Sequence, residues 1–144
     1  MRILISACLL GEACRYDGAS KGLPPEKLET LMREHTLIPV CPEQLGGLPT
    51  PRTPSERQGA CVVMRDGTDV TAAYSRGARI ACALAAQTLA EAALLKARSP
   101  SCGSGEIYDG SFTGTRVPGD GVTAETLKAT GIAVYTENEL NKLL

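Results

Sequence analysis

An α/β domain with a mainly parallel sheet, helices on both faces and a small β-hairpin insertion is what the order of elements in this chain predicts. Short apolar runs, the length of buried strands, alternate with segments of helical periodicity. Three loops rich in glycine, proline or charge each follow a strand candidate. In a parallel sheet all three collect at the carboxyl edge, where α/β folds bind ligands. A length of 144 residues suits a single domain, residues 1–144, able to bury its own core.

Arg2 to Ala7 is a short apolar run ending in small residues, the pattern of a strand covered on both faces. Gly11 to Gly22 is a loop. Pro24-Pro25 opens a helix, because proline is tolerated in a first turn, and Leu28, Leu31 and Met32 give it an apolar stripe. Thr36 to Val40 is the second strand. Residues 42–59 hold four prolines and three glycines and read as one long irregular loop, a kind that is often functional inside a compact domain. Cys61 to Met64, the turn Arg65-Asp66-Gly67 and Thr68 to Val70 make the expected hairpin, Asp-Gly being a strong turn signal. Thr71 to Ala90 is the longest helix, so rich in Ala, Leu and Ile that most of its surface is expected to be buried. Ala93 to Lys96 is a further strand, followed by a second long, glycine-rich loop from Ala97 to Gly121. Val122 to Thr130 is a helix ended by Gly131. Ile132 to Tyr135 is the last strand, and Thr136 with Glu139 forms a capping box for a terminal helix through Leu144.

Composition narrows the function. A net charge of −1 gives no global attraction to nucleic acid or anionic membrane, and it argues against large RNA as a partner. With no Trp, one Phe and four Tyr there is little material for a single-strand stacking platform. No stretch reaches the roughly 18 apolar residues of a membrane span; Ala78 to Leu95 is interrupted by Arg79, Gln87, Thr88 and Glu91. No signal peptide is read at the N-terminus, so the expected location is cytoplasmic. Six cysteines in a reducing compartment favour metal binding or catalysis over disulfides.

Cys8, Cys41 and Cys102 each sit just after a strand, so remote segments bring them to one edge. Thiolates suit zinc, copper(I) or iron–sulfur clusters. Three of them on a cubane cluster leave one iron open, the counterpart of an open catalytic zinc site. Spacing alone also fits inert, buried thiols. Cys14 is near enough to Cys8 to serve as a ligand or a neighbouring thiol, whereas Cys61 and Cys82 read as core filler. Glu43, two residues past Cys41, is a candidate for moving protons beside an activated centre. Ser101 adjoins Cys102. Arg15, Lys21, Arg52, Arg57 and Arg98 recur in the loops and suit an anionic group such as phosphate. The sole histidine, His35, reads as a surface residue.

Ser6-Ala7-Cys8-Leu9-Leu10-Gly11 followed by Arg15-Tyr16-Asp17-Gly18, then Cys41-Pro42-Glu43 with Gly46-Gly47-Leu48, then Ser99-Pro100-Ser101-Cys102-Gly103, together resemble the thiouracil desulfidase family of short, single-domain bacterial proteins. The resemblance runs from residue 3 to about residue 135. It implies a three-layer Rossmann-like domain and a [4Fe–4S] cluster on Cys8, Cys41 and Cys102 with one open iron. It further implies non-redox removal of sulfur from a thiolated pyrimidine (thiouracil, 4-thiouridine or its monophosphate), releasing sulfide and leaving a carbonyl. The acid/base pair maps onto Glu43 and Ser101; Asp17, Lys21, Arg52 and Ser99 are expected to bind the substrate, a small thiolated base or nucleotide. Cys14 lies outside that ligand set. The competing expectation is a non-catalytic iron–sulfur or zinc protein whose site Cys14 closes. A metal-free cysteine hydrolase ranks lower, because His35, the sole histidine, falls on the helix after the first strand, away from the loops, and so offers no general base there.

Overall fold

Four parallel strands form the centre of the computed structural model, which describes residues 1–19 and 22–144. They are β1 (Arg2–Ser6), β2 (Thr36–Val40), β5 (Ala92–Leu95) and β8 (Ala133–Thr136), in the spatial order β2-β1-β5-β8. Register is direct: Ile3 pairs with Leu37 on one side and with Ala92 on the other.

Successive side chains of a strand point to opposite faces, and β1 sends each of its apolar residues into a different layer. Ile3 and Ile5 pack with Leu31, Leu94, Leu140 and Leu143 beneath α1 (Pro25–Glu34) and the C-terminal 3-10 turn Glu137–Lys142. Leu4 packs with Ala81, Ala85, Ala93, Leu95, Ala124 and Leu127 beneath α3 (Thr71–Thr88) and α4 (Val122–Ala129). Each fully buried Leu or Ile contributes about 1.5–3 kcal/mol. The result is the expected three-layer α/β arrangement. The capping box at Thr136 is present, with Glu139 accepting from the Thr136 N–H at 3.2 Å, although it starts a 3-10 turn.

Several details differ from the sequence expectation. In α1 only Leu31 is buried and Met32 is 63% exposed, because the helix lies over the outer strand β2 and covers a narrow stripe. In α3 the buried residues Tyr74, Gly77, Ala78, Ala81 and Ala85 define one face only; alanines on the other face raise the apolar count without being covered. The long loop 42–59 contains α2 (Pro42–Leu45) and β3 (Ser55–Gln58). The latter pairs antiparallel with β4 (Cys61–Met64), so the hairpin closes at Gly59-Ala60. Thr68 to Val70 folds back over β4 but adds only a single bridge, Val63 to Asp69. The loop 97–121 carries a second hairpin, β6 (Glu106–Tyr108) with β7 (Arg116–Pro118). Cys61, expected in the core, is exposed at the start of β4, and Cys82, on α3, is half-buried against the layer that holds Leu4 and Leu95.

His35 is structural. Its Nε2 lies 2.7 Å from the Leu143 carbonyl oxygen and its Nδ1 3.2 Å from the N-terminal amine, tying the two chain ends together.

Candidate functional site

Because the four strands are parallel, the chain leaves each of them at the same edge. Cys8 stands in the 3-10 turn Ala7–Leu10 directly after β1, Cys41 directly after β2 as the N-cap of α2, and Cys102 in the loop after β5. Together with Cys14 they line one cavity of about 470 Å³. Cys8, Cys14 and Cys102 are buried and Cys41 is half-buried. The Cys41 Sγ points at the Cys14 carbonyl oxygen at 3.8 Å. Burial pushes the Cys8 thiol up to about 11 and those of Cys14 and Cys102 up to about 12. Burial therefore favours the protonated form of these three thiols when no cluster is bound. The hydroxyls of Ser6 and Ser101 oppose this at Cys102 by hydrogen bonding to its sulfur.

Among the described residues no three His, Cys, Asp or Glu side chains approach closely enough to hold one metal ion. Cys8, Cys14, Cys41 and Cys102 nevertheless share the lining of one cavity. Soft sulfur donors gathered in this way fit an iron–sulfur cluster, in which each thiolate binds a different iron.

The second part of the site is a carboxylate network. Glu43 is placed by α2, which sits directly on α3 through two glycines. A Cβ on Gly46 would lie 2.0 Å from the Ala73 carbonyl oxygen, and one on Gly77 1.9 Å from that of Pro42, so neither position has room for a side chain. Arg52 then clamps one carboxylate oxygen: its Nε is 3.0 Å and its Nη2 2.9 Å from Glu43 Oε1. The remaining guanidinium donors go to the carbonyls of Pro49 and Cys14 and to the Thr50 hydroxyl. Arg52 lines the cavity, but its donors are occupied internally, which makes it the holder of Glu43. The other oxygen, Oε2, accepts from the Ser101 hydroxyl at 2.8 Å, and Ser101 Oγ also lies 3.5 Å from Cys102 Sγ. Ser99 Oγ is 2.9 Å from Ser101 Oγ and accepts from the N–H groups of Ser101 and Cys102 at 3.1 Å, so it shapes the turn that aims both. Tyr74, buried on α3, brings its hydroxyl beside Glu43 and Ser55; burial, the first cause, raises its pKa and keeps it neutral.

Of the remaining expected residues, Asp17 does not line the cavity, its carboxylate instead accepting from the Ala19 N–H at 2.9 Å. Lys21 lies outside the described residues. Arg57 is turned away, bound to Gly59, Asp120 and Glu125. Arg15 and Arg98 do line the cavity, and Arg65 and Lys96 join them without any local sequence signal. Lys96 is paired with Glu137 at 2.6 Å. The guanidiniums of Arg15, Arg65 and Arg98 form no hydrogen bond or ion pair among the described residues, which leaves three cations facing one cavity.

The chain matches the family model described as 2-thiouracil desulfurase over residues 3–139. It is 45% identical to the uncharacterized protein YbbK of Bacillus subtilis (strain 168), over 99% of each chain. It is also similar to a solved structure described as [4Fe-4S]-dependent thiouracil desulfidase TudS, with 49% identity and a TM-score of 0.94 over 99% of this chain and 94% of that one. A match spanning nearly all of the chain, on the fold that carries this cavity, makes the protein a member of the 2-thiouracil desulfurase family.

Proposed function

We propose that the protein removes sulfur from thiolated pyrimidines, converting a ring C=S to C=O with water and releasing sulfide. The observation that carries this reading is the Glu43–Ser101 pair set 2.8 Å apart against the cysteine-lined wall of one cavity. The likeness to a [4Fe-4S]-dependent thiouracil desulfidase supports it.

Cys8, Cys41 and Cys102 would hold a [4Fe–4S] cluster. When bound, it supplies a Lewis-acidic iron for the thione sulfur. The rest of the work falls to side chains. Glu43 Oε2 faces the reaction space and takes a proton from the attacking water, while Arg52 keeps Oε1 fixed and stops the carboxylate from rotating. Ser101 Oγ, donating to Glu43, orients that water and returns a proton to the ring nitrogen. A C–O bond forms, the C–S bond breaks, and the electron pair leaves with sulfur, so no external oxidant or reductant enters. General acid–base groups placed in this way are worth about 10²–10⁴ in rate.

Arg15, Arg65 and Arg98 favour a substrate that carries phosphate, since guanidinium forks pair well with phosphate oxygens. A thiouridine monophosphate therefore suits this cavity better than free thiouracil. A second reading, a closed and non-catalytic cluster site, is supported by one observation: Cys14 is buried beside Cys41.

The test is anaerobic purification followed by iron and sulfide quantification for each single Cys→Ser variant, with sulfide release measured from 4-thiouridine monophosphate and from 2-thiouracil. Loss of the cluster at positions 8, 41 and 102, retention at position 14, and a lower KM for the nucleotide are expected. Loss of the cluster in Cys14→Ser would establish a closed site. Full turnover by Glu43→Gln with an intact cluster would remove the role given to Glu43.

A further inference from the structure

Aromatic residues are scarce in this chain, one Phe and four Tyr, yet Tyr16, Tyr74, Tyr108 and Phe112 all line the same cavity. Tyr74 packs in the core with Val62 and Val70, but Tyr16, Tyr108 and Phe112 belong to none of the core clusters, so their place on this wall is not a packing necessity. Tyr74 lies at the Glu43 end. Phe112 comes from the loop between β6 and β7, and is half-buried.

Phe112 has a backbone φ of 58°. That region is costly for a bulky side chain and easy for glycine. The conformation is imposed from outside the loop. Glu56, on β3, accepts from the N–H groups of Gly110 at 3.0 Å and Phe112 at 3.1 Å, and Gln58 donates to the Gly110 carbonyl at 2.9 Å. Arg65, at the end of β4, lays its guanidinium over the Phe112 ring, 5.6 Å from its centroid. Two separate hairpins thus cooperate to hold one aromatic ring in a strained backbone at the cavity wall. Strained residues held by their surroundings cluster at active sites and ligand clamps.

We infer that Phe112, backed by Arg65, is the surface on which the pyrimidine ring stacks, and that it sets the preference for planar heteroaromatic thiones. The inference rests on the proposed desulfuration for the identity of the ligand. An aromatic ring offers a base a flat, apolar contact that accepts any pyrimidine. The guanidinium on that ring adds a cation–π contact, and its unpaired donors remain available to the phosphate.

The experiment uses cluster-loaded protein and uridine 5′-monophosphate, measured by calorimetry, together with the melting temperature of each variant. Phe112→Gly removes the ring and relieves the backbone. The expected result is an equal or higher melting temperature, unchanged iron content and binding weaker by about ten-fold. Phe112→Tyr keeps the ring and should retain affinity. A fall in melting temperature for Phe112→Gly would mark the ring as a packing residue and overturn the inference, as would unchanged affinity. Sulfide release is read separately. If wild-type protein binds the nucleotide through Phe112 but releases no sulfide from its 4-thio form, the desulfuration is wrong and the stacking surface stands.

Discussion

Replacing Arg52 with methionine tests the carboxylate network most sharply. The Arg52 side chain is 3% exposed and that of Glu43 14%, so the pair is largely withdrawn from water. Arg52→Met keeps the apolar stem but leaves the Glu43 carboxylate without its cation, and the Cys14 and Pro49 carbonyls without donors. Removing one partner of a buried pair costs about 3–5 kcal/mol. At about 2.1 cal/mol/K per residue, a chain of 144 residues unfolds with an entropy near 0.3 kcal/mol/K. The melting temperature should therefore fall by about 10–17 °C, followed by circular dichroism under anaerobic conditions. Adding Glu43→Gln to Arg52→Met should recover part of the loss, because the uncompensated charge is gone; in a double-mutant cycle the coupling should exceed about 1 kcal/mol. A single-variant loss below about 1 kcal/mol would place this pair with exposed ion pairs and refute the argument that Arg52 immobilises Glu43.

Three further outcomes follow from the same geometry. Ser101→Ala should retain its cluster by iron content and visible absorbance but lose about 10²–10⁴ in kcat; unchanged kcat would remove Ser101 from the proton path. Gly77→Ala places a Cβ 1.9 Å from the Pro42 carbonyl oxygen, so α2 must shift and carry Glu43 with it; lower stability and lower kcat should appear together, and a neutral substitution would show that α2 is not seated on α3 as described. In cluster-free protein, burial raises the thiols of Cys8, Cys14 and Cys102 from 9.0 to between about 11 and about 12. A raised value in the fold means the protonated thiol is favoured there, so this contribution is complete below pH 9.0 and is lost as pH climbs towards 11–12. The melting temperature of cluster-free protein should be level to about pH 9 and then decline; a level profile up to pH 11 would show that these thiols are solvated.

Much of the architecture was readable from local pattern. The apolar run Arg2 to Ala7, the strand Thr36 to Val40 and the helix closed by Gly131 are set by side-chain periodicity and backbone preference within a few residues, and the observed elements match to within a residue or two. Asp66-Gly67 predicts a hairpin with Thr68 to Val70, whereas β4 pairs with β3, because a strong turn signal does not choose the partner strand. Whether Thr68 to Val70 or Ser55 to Gln58 lies alongside β4 depends on contacts with the rest of the domain. Met32 is exposed for a similar reason, since a helical stripe gives a direction but not the width of the surface that covers it.

The site divides in the same way. By itself the sequence determined that cysteines follow three strands, that Glu43 and Ser101 flank two of them, and that the chain is a thiouracil desulfidase relative, because those are properties of residues adjacent along the backbone. Tertiary structure alone decided that Arg52 grips Glu43, that Asp17 stays out of the cavity, that Cys14 lies against Cys41, and that Arg65 and Phe112 reach the same wall from different hairpins. Contacts between residues tens of positions apart depend on how the layers pack and where two long loops settle, and no local periodicity carries that information.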